Sequence, residues 1–261
     1  MNYLKCLALA LVLNLSWGAQ ARAEETKPIG RTIMEKVYNR PVGNDMTARL
    51  TMTLRNRHGE ERVRQIRQFS SVQGSTEKKI MFFEVPADVR NTSFMSWSYD
   101  NGDDDDQWIY LPALRRVKRI SSDSKSDYFM GSDFTYDDLG DRHPDKDYHR
   151  LVKKESLKGK DVYVVESTPK DENYMYSKTL SWVLKDESIG LKREFYDKHG
   201  KLLKTLTVNK YGKISGVWVV QESLMNNVQK GHQTVMHLDD VSINSGVPAS
   251  RFSERMMQRG L

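Results

Sequence analysis

From Thr47 to Ile243 the apolar residues of this chain recur at every second position, in short runs separated by turn-forming residues. In TARLTMTLR, Ala48, Leu50, Met52 and Leu54 fall on one side, and Thr47, Arg49, Thr51, Thr53 and Arg55 on the other. Successive side chains of a strand point to opposite faces, so this run predicts a half-buried antiparallel strand. The same pattern predicts strands at Arg62–Ser70, Ser93–Tyr99, Gln107–Leu111, Arg115–Ile120, His149–Leu157, Asp161–Ser167, Thr179–Lys185, Leu191–Tyr196, Leu202–Tyr211, Val217–Val228 and Gln233–Ile243. KKIMFFEV (Lys78–Val85) is nearly continuous apolar, which predicts a strand covered on both faces. Turn signals such as LKGK, DESIG, DKHG, KISG and QKGH stand between most of these runs. The rhythm is unbroken by a linker or a repeat, so one domain is expected over residues 24–261. A sheet this wide must curl, into two packed sheets or into a barrel, closed or half-closed.

Two short helices are expected around the strands. Ile29, Ile33 and Val37, with Met34 alongside, form an apolar stripe that predicts an amphipathic helix over Ile29–Asn39, with Pro28 at its start. In PASRFSERMM, Ser250 is a candidate cap, and Phe252 and Met256 share a helical face. Ahead of these, Lys5, the apolar run Leu7–Leu13 and Ala21-Arg22-Ala23 have the layout of a secretory signal peptide, with cleavage expected after Ala23. That apolar run is too short to span a bilayer, so the chain is not expected to be an integral membrane protein. The single cysteine, Cys6, lies inside the leader, which leaves the mature chain without a thiol nucleophile, a disulfide or a zinc thiolate. Without Lys5 and Arg22, 39 basic residues face 35 acidic ones, a mild excess suited to anionic headgroups or acidic partners.

Catalytic and metal-binding signatures are lacking. No G-x-S-x-G or H-E-x-x-H pattern occurs, and no histidine arrangement marks Ser132 as activated, so the chain does not read as an enzyme and no cofactor is expected. His232 and His237 are an odd number apart, which on a strand places them on opposite faces. DNGDDDDQ (Asp100–Gln107) lacks the ligand spacing of a calcium loop and reads as a solvated hairpin tip. Arg115, Arg116, Lys118 and Arg119 beside Trp108 and Tyr110 make a basic–aromatic patch, but export argues against nucleic acid; such charges also discourage edge-to-edge pairing.

What remains is an apolar surplus, rich in Met and aromatics rather than Val and Ile. Met52, Leu54, Phe69, Met81, Phe83, Met95, Trp97, Trp108, Tyr110, Phe129, Met130 and Phe134 are the candidate walls of an apolar cavity for a flexible guest. Arg115, Arg116 and Arg119 are candidates for a charged rim that meets headgroups.

The run WIYLPALRRVKRI followed by SDYFMGSDFTYDDL (within residues 107–139) resembles exported bacterial proteins described as outer-membrane lipoprotein-sorting proteins, a LolA-like family associated with RND-type inner-membrane exporters. The resemblance implies an incomplete, half-open antiparallel β-barrel of about eleven strands, with an N-terminal helix and short helical lid segments around an apolar cavity. The helix at Ile29–Asn39 and the loop Ser121–Asp138 would then be lid or rim. It further implies a non-covalent periplasmic carrier of an acylated lipoprotein or lipid, working between an inner-membrane exporter and an outer-membrane acceptor. A lipoprotein sensor of the RseB type, or a hydrolase with a greasy pocket, are the alternatives.

Overall fold

The structure is a computed structural model and describes residues 29–261; the leader expected at residues 1–23 and Pro28 lie outside the described residues. Thirteen strands form one antiparallel sheet: β1 (Asp45–Arg55), β2 (Glu61–Gln73), β3 (Thr76–Val85), β4 (Ser93–Tyr99), β5 (Asp106–Leu111), β6 (Arg116–Arg119), β7 (Asp147–Leu157), β8 (Lys160–Pro169), β9 (Lys178–Leu184), β10 (Gly190–Tyr196), β11 (Leu202–Ile214), β12 (Val217–Asn227) and β13 (His232–Ile243). Each overlaps one of the thirteen runs expected from the sequence, two more than the about eleven strands that the resemblance implies.

Strands adjacent in sequence pair with one another except β6 and β7, and β13 pairs with β1 (Leu50 opposite Leu238, Met52 opposite Met236). The two halves of the chain are thus joined through their first and last strands, and the sheet opens between its edge strands β6 and β7. This is an incomplete antiparallel β-barrel. Residues 120–146, which link the two edge strands, carry four 3₁₀ turns and no strand.

Strand pairing fixes which side chains share a face. Leu50, Ile66, Phe83, Met81 and Phe94 follow one another across β1–β4 on the inner face. The alternate residues Phe69, Ile80, Phe82, Met95, Trp97, Trp108 and Tyr110 occupy the outer face, where Phe252 and Met257 cover them. This explains why Ile80, Met81, Phe82 and Phe83 are all buried, as their unbroken apolar run predicts. The covering element is α2 (Glu254–Arg259), capped by Ser253 rather than Ser250; it buries Met257 rather than Met256. Ser93 Oγ ties it to the sheet by donating to Met257 O at 3.0 Å.

On the other half, α1 (Ile29–Tyr38) lies against the inner face of β7–β9, with Ile33 and Met34 packed on Val165, Val183 and Leu151. Ile29, expected in the buried stripe, is exposed. The close approach has a cause at Gly30, where a Cβ would stand 2.8 Å from His149 O and Leu151 N. A separate cluster, containing Val162, Val164, Trp182 and Leu191, packs on the other side of this half against Tyr211 and Trp218 from the far end of the β11–β12 hairpin.

Candidate functional site

The barrel interior is filled from the gap. The segment linking β6 to β7 runs inward and inserts Phe129, Phe134 and Leu139 among Leu50, Met52, Leu54, Ile66, Met81, Phe83 and Phe94. Phe129 meets Phe94 edge-on at 5.1 Å and Tyr136 at 5.6 Å. At the apex Met130 and Gly131 both take left-handed backbone angles (φ 49° and 74°), and Met130 O accepts from Arg64.

The acids interleaved with these aromatics are its anchors. Asp138 accepts from Tyr176 Oη at 3.0 Å, from Thr135 N at 2.6 Å, and from the Lys204 ammonium. Lys204 is completely buried; it also donates to Asp133 O at 2.9 Å and stands 5.3 Å from the Tyr176 ring. Asp133 Oδ2 accepts from Thr234 at 2.7 Å and meets His232 Nδ1 at 2.7 Å, while the Tyr174 hydroxyl donates to Asp137. Burial raises the Asp137 carboxyl above the usual range. The carboxylate anchors are met by side chains of β11, β13 and the β8–β9 connection, while Arg64 of β2 and Gln107 of β5 hold the plug from the other half by donating to Met130 O and, at 2.8 Å, to Tyr136 O.

Beneath the plug and α1 an empty cavity of about 420 Å³ remains, within the range of small-molecule sites. Its apolar floor is Phe134, Phe195, Leu206 and Met225, with Met34, Val37 and Tyr38 of α1 above. A smaller cavity of about 240 Å³ shares Phe134, Asp138, Gly140 and Asp141 with it and reaches Leu50, Met81, Met236 and Leu238. The walls are more polar than the expected greasy pocket. Arg40, Glu77, Asp141, Arg142, Asp147, His149 and Arg193 all line the larger cavity. Burial lowers the pKa values of Arg40, His149 and Arg193 and raises that of Glu77. Burial also opposes charge on Lys79, but Asp141, Glu77 and Asp105 outweigh it and raise its pKa. Asp105, at the hairpin tip, is pushed by burial up to about 6 and accepts from Asp141 N at 2.9 Å.

A family model described as "Uncharacterized protein" matches residues 75–259. A protein described as an outer membrane lipoprotein-sorting protein domain, from Vibrio parahaemolyticus, is 38% identical with TM-score 0.83, over 88% of this chain and 98% of that one. The chain belongs to this LolA-like lipoprotein-sorting family. A DUF1329 family protein from Desulfovibrio piger is 30% identical with TM-score 0.82, over 87% of this chain and 97% of that one. A LolA superfamily protein from Nitrosomonas europaea shares the fold at 22% identity and TM-score 0.67, over 87% and 98% of the two chains. No curated protein matches. The LolA-like motif noted in the sequence, SDYFMGSDFTYDDL, is the plug itself.

The structure divides the twelve expected cavity residues by face. Met52, Leu54, Met81, Phe83, Phe129, Met130 and Phe134 meet in the interior cluster. Phe69, Met95, Trp97, Trp108 and Tyr110 belong to the outer-face cluster under α2, which corrects their placement; the expected set mixed alternate residues of the same strands. Within the interior group, only Phe134 and Met81 touch the empty cavities. Arg115, Arg116 and Arg119 are exposed at the turn into edge strand β6 and along it, and line none of the described cavities; Arg119 pairs with Asp106. Ser132 is buried, with its hydroxyl against Phe134 O and N, and has no histidine partner among the described residues. The cavity residues that the sequence reading passed over, Arg193 above all, sit at strand positions where a lone charge reads as solvent-facing. Their signal is parity, since Arg193 shares a face with buried Phe195.

Proposed function

We propose that this protein is a periplasmic carrier that takes up acyl chains of a lipoprotein or lipid inside the half-open barrel, with residues 120–146 as an internal lid. The observation that carries this reading is a barrel interior filled by a loop rather than by strands, strapped in place by polar contacts and lying over empty space. The 38% identical Vibrio parahaemolyticus protein, described as lipoprotein-sorting, supports it.

The energies suit exchange. Burying Phe129, Phe134 and Leu139 stabilises the closed form by roughly 1.5–3 kcal/mol each. An acyl chain gains ~0.8 kcal/mol per methylene withdrawn from water, so a dozen gain on the order of 10 kcal/mol before ordering costs. Lid and cargo are therefore matched competitors for the surfaces of Met52, Leu54, Met81 and Phe83, and release needs only a modest bias from an acceptor. No covalent step enters.

In this reading the mature chain, Glu24–Leu261, works as one unit. The leader directs it to the periplasm, an RND-type inner-membrane exporter supplies cargo, and an outer-membrane acceptor receives it. Exposed Arg115, Arg116 and Arg119 offer contacts to anionic headgroups or an acidic partner. Mass spectrometry of protein isolated from its native periplasm tests the proposal: co-purifying acylated molecules are expected, and protein that is empty and takes up no acyl chain from vesicles would contradict it.

A further inference from the structure

Several of the charges lining the larger cavity have close counterparts. Arg142 is gripped by Asp147 (Nη2 to Oδ1 2.6 Å), Asp138 is met by Lys204, and Asp137 takes the Tyr174 hydroxyl. On the facing wall Glu77 and Asp141 favour the charges of Lys79 and Arg40, although Arg40 forms no ion pair among the described residues and its Nε has no hydrogen-bond partner. Arg193, on the apolar side of the cavity, has no ion pair among them either. Its Nε donates to Ser181 Oγ at 3.0 Å, and no carboxylate among the described residues lies within ion-pairing distance of it. Arg193 lines the cavity; burial lowers its pKa, while Tyr174, Asp138 and Asp147 favour its charge from beyond ion-pairing distance. A largely desolvated charge without an ion pair is costly to keep, and a folded chain tolerates it where a partner arrives from outside.

Its neighbours form a graded track. Toward β7 the cavity wall offers Thr179, Ser167 and His149, of which His149 meets Ser167 (Nδ1 to Oγ 2.8 Å) and Pro144 O (Nε2 2.9 Å). Toward β12 it becomes apolar at once. Phe195 shares the face, Leu206 is the cross-strand partner of Arg193, and Met225 is the partner of Leu206. Beyond them Phe134 separates the larger cavity from the smaller, apolar-floored one.

We propose that Arg193 is the headgroup site of this cavity, and that the cargo is an acyl chain bearing one negatively charged oxyanion, a carboxylate or a phosphate diester, near one end. The inference rests on the carrier reading and narrows its substrate class. A guanidinium fork matches either oxyanion with two parallel hydrogen bonds. The carboxylates that also line the cavity, among them Glu77, Asp137 and Asp141, repel a second negative charge, so singly charged heads fit and polyphosphorylated lipids do not.

The test uses delipidated mature protein and three palmitoyl probes, measured by calorimetry: palmitate, palmitoyl lysophosphatidylglycerol and neutral monopalmitoylglycerol. At least one anionic probe should bind tenfold or more tightly than the neutral one, and which of the two does so separates carboxylate from phosphate. Arg193→Gln should reduce anionic binding to the neutral level, and Arg193→Lys should keep part of the preference. Because the charge is unpaired, the empty Arg193→Gln protein should melt no lower than the parent. Equal binding of all three probes by the parent, or an unchanged preference in Arg193→Gln, overturns the headgroup assignment while leaving the carrier reading intact. A lowered melting temperature in the empty variant would assign Arg193 a structural role and overturns the assignment too. If no probe binds at all, both readings fail.

Discussion

Replacing Lys204 with methionine removes the cation that pairs with Asp138. Lys204 and Asp138 are 0% and 5% exposed, so neither can recruit bulk water when the other is lost. Breaking a buried pair from one side typically costs about 3–5 kcal/mol. Asp138 keeps two donors in the variant, the Tyr176 hydroxyl and Thr135 N, which places the expected loss toward the lower end. Losing the donor to Asp133 O adds about 1 kcal/mol. The sum is about 4 kcal/mol, measurable as a lower urea midpoint at unchanged slope. Adding Asp138→Leu removes the stranded carboxylate, so the double variant should regain part of the loss, with a coupling of about 2 kcal/mol or more. Hydrogen exchange should quicken first across residues 129–139, because these contacts hold the plug. A loss below about 1 kcal/mol, or strict additivity in the cycle, would refute the claim that these acids clamp the plug in the barrel.

Asp105→Asn tests burial at the hairpin tip. The native carboxyl titrates at about 6, against about 3.9 when unfolded. Between those values the native state holds the extra proton, so stability falls as pH rises, by about 2–3 kcal/mol in all. The asparagine variant should therefore be the more stable protein above pH 6 and lose that advantage at pH 4, which thermal melts at both pH values would check. Gly30→Ala drives a methyl to within 2.8 Å of the β7 backbone, so α1 should loosen; its amides should exchange faster with little change in the sheet. Arg119→Ala removes an ion pair whose arginine is 67% exposed, and should leave the urea midpoint unchanged within error.

The strands were legible because a half-buried sheet writes its geometry into alternate residues, and every run with that period became a strand. Double coverage of Lys78–Val85 was legible for the same reason, although its outer cover comes from Phe252 and Met257, about 170 residues later. What alternation does not give is which set faces inward when both sets are apolar. In β4, Phe94 and Met95 are equally buried on opposite faces, and shifts in register between Gln65 and Ile66 and along β11 break the count from strand to strand. The plug was legible as a segment but not as an interior element. Its aspartates read as solvated loop, and only the fold brings Lys204, Thr234 and His232 to meet them. Arg193 was hidden for the same reason, since a cavity and a solvent face make the same demand on a single side chain.

The central claim, that the plug leaves to admit an acyl chain, is open to one direct measurement. A Cβ at Gly140 would lie 3.2 Å from Asp105 Cγ, close enough for a disulfide between Asp105→Cys and Gly140→Cys. Gly140 has φ −86°, which any residue adopts, and residues 24–261 contain no cysteine to compete. Palmitoyl binding by the oxidised variant should fall at least tenfold below that of the same protein after reduction. Equal binding in the two states would mean that the plug stays in place while cargo enters, and would contradict the account.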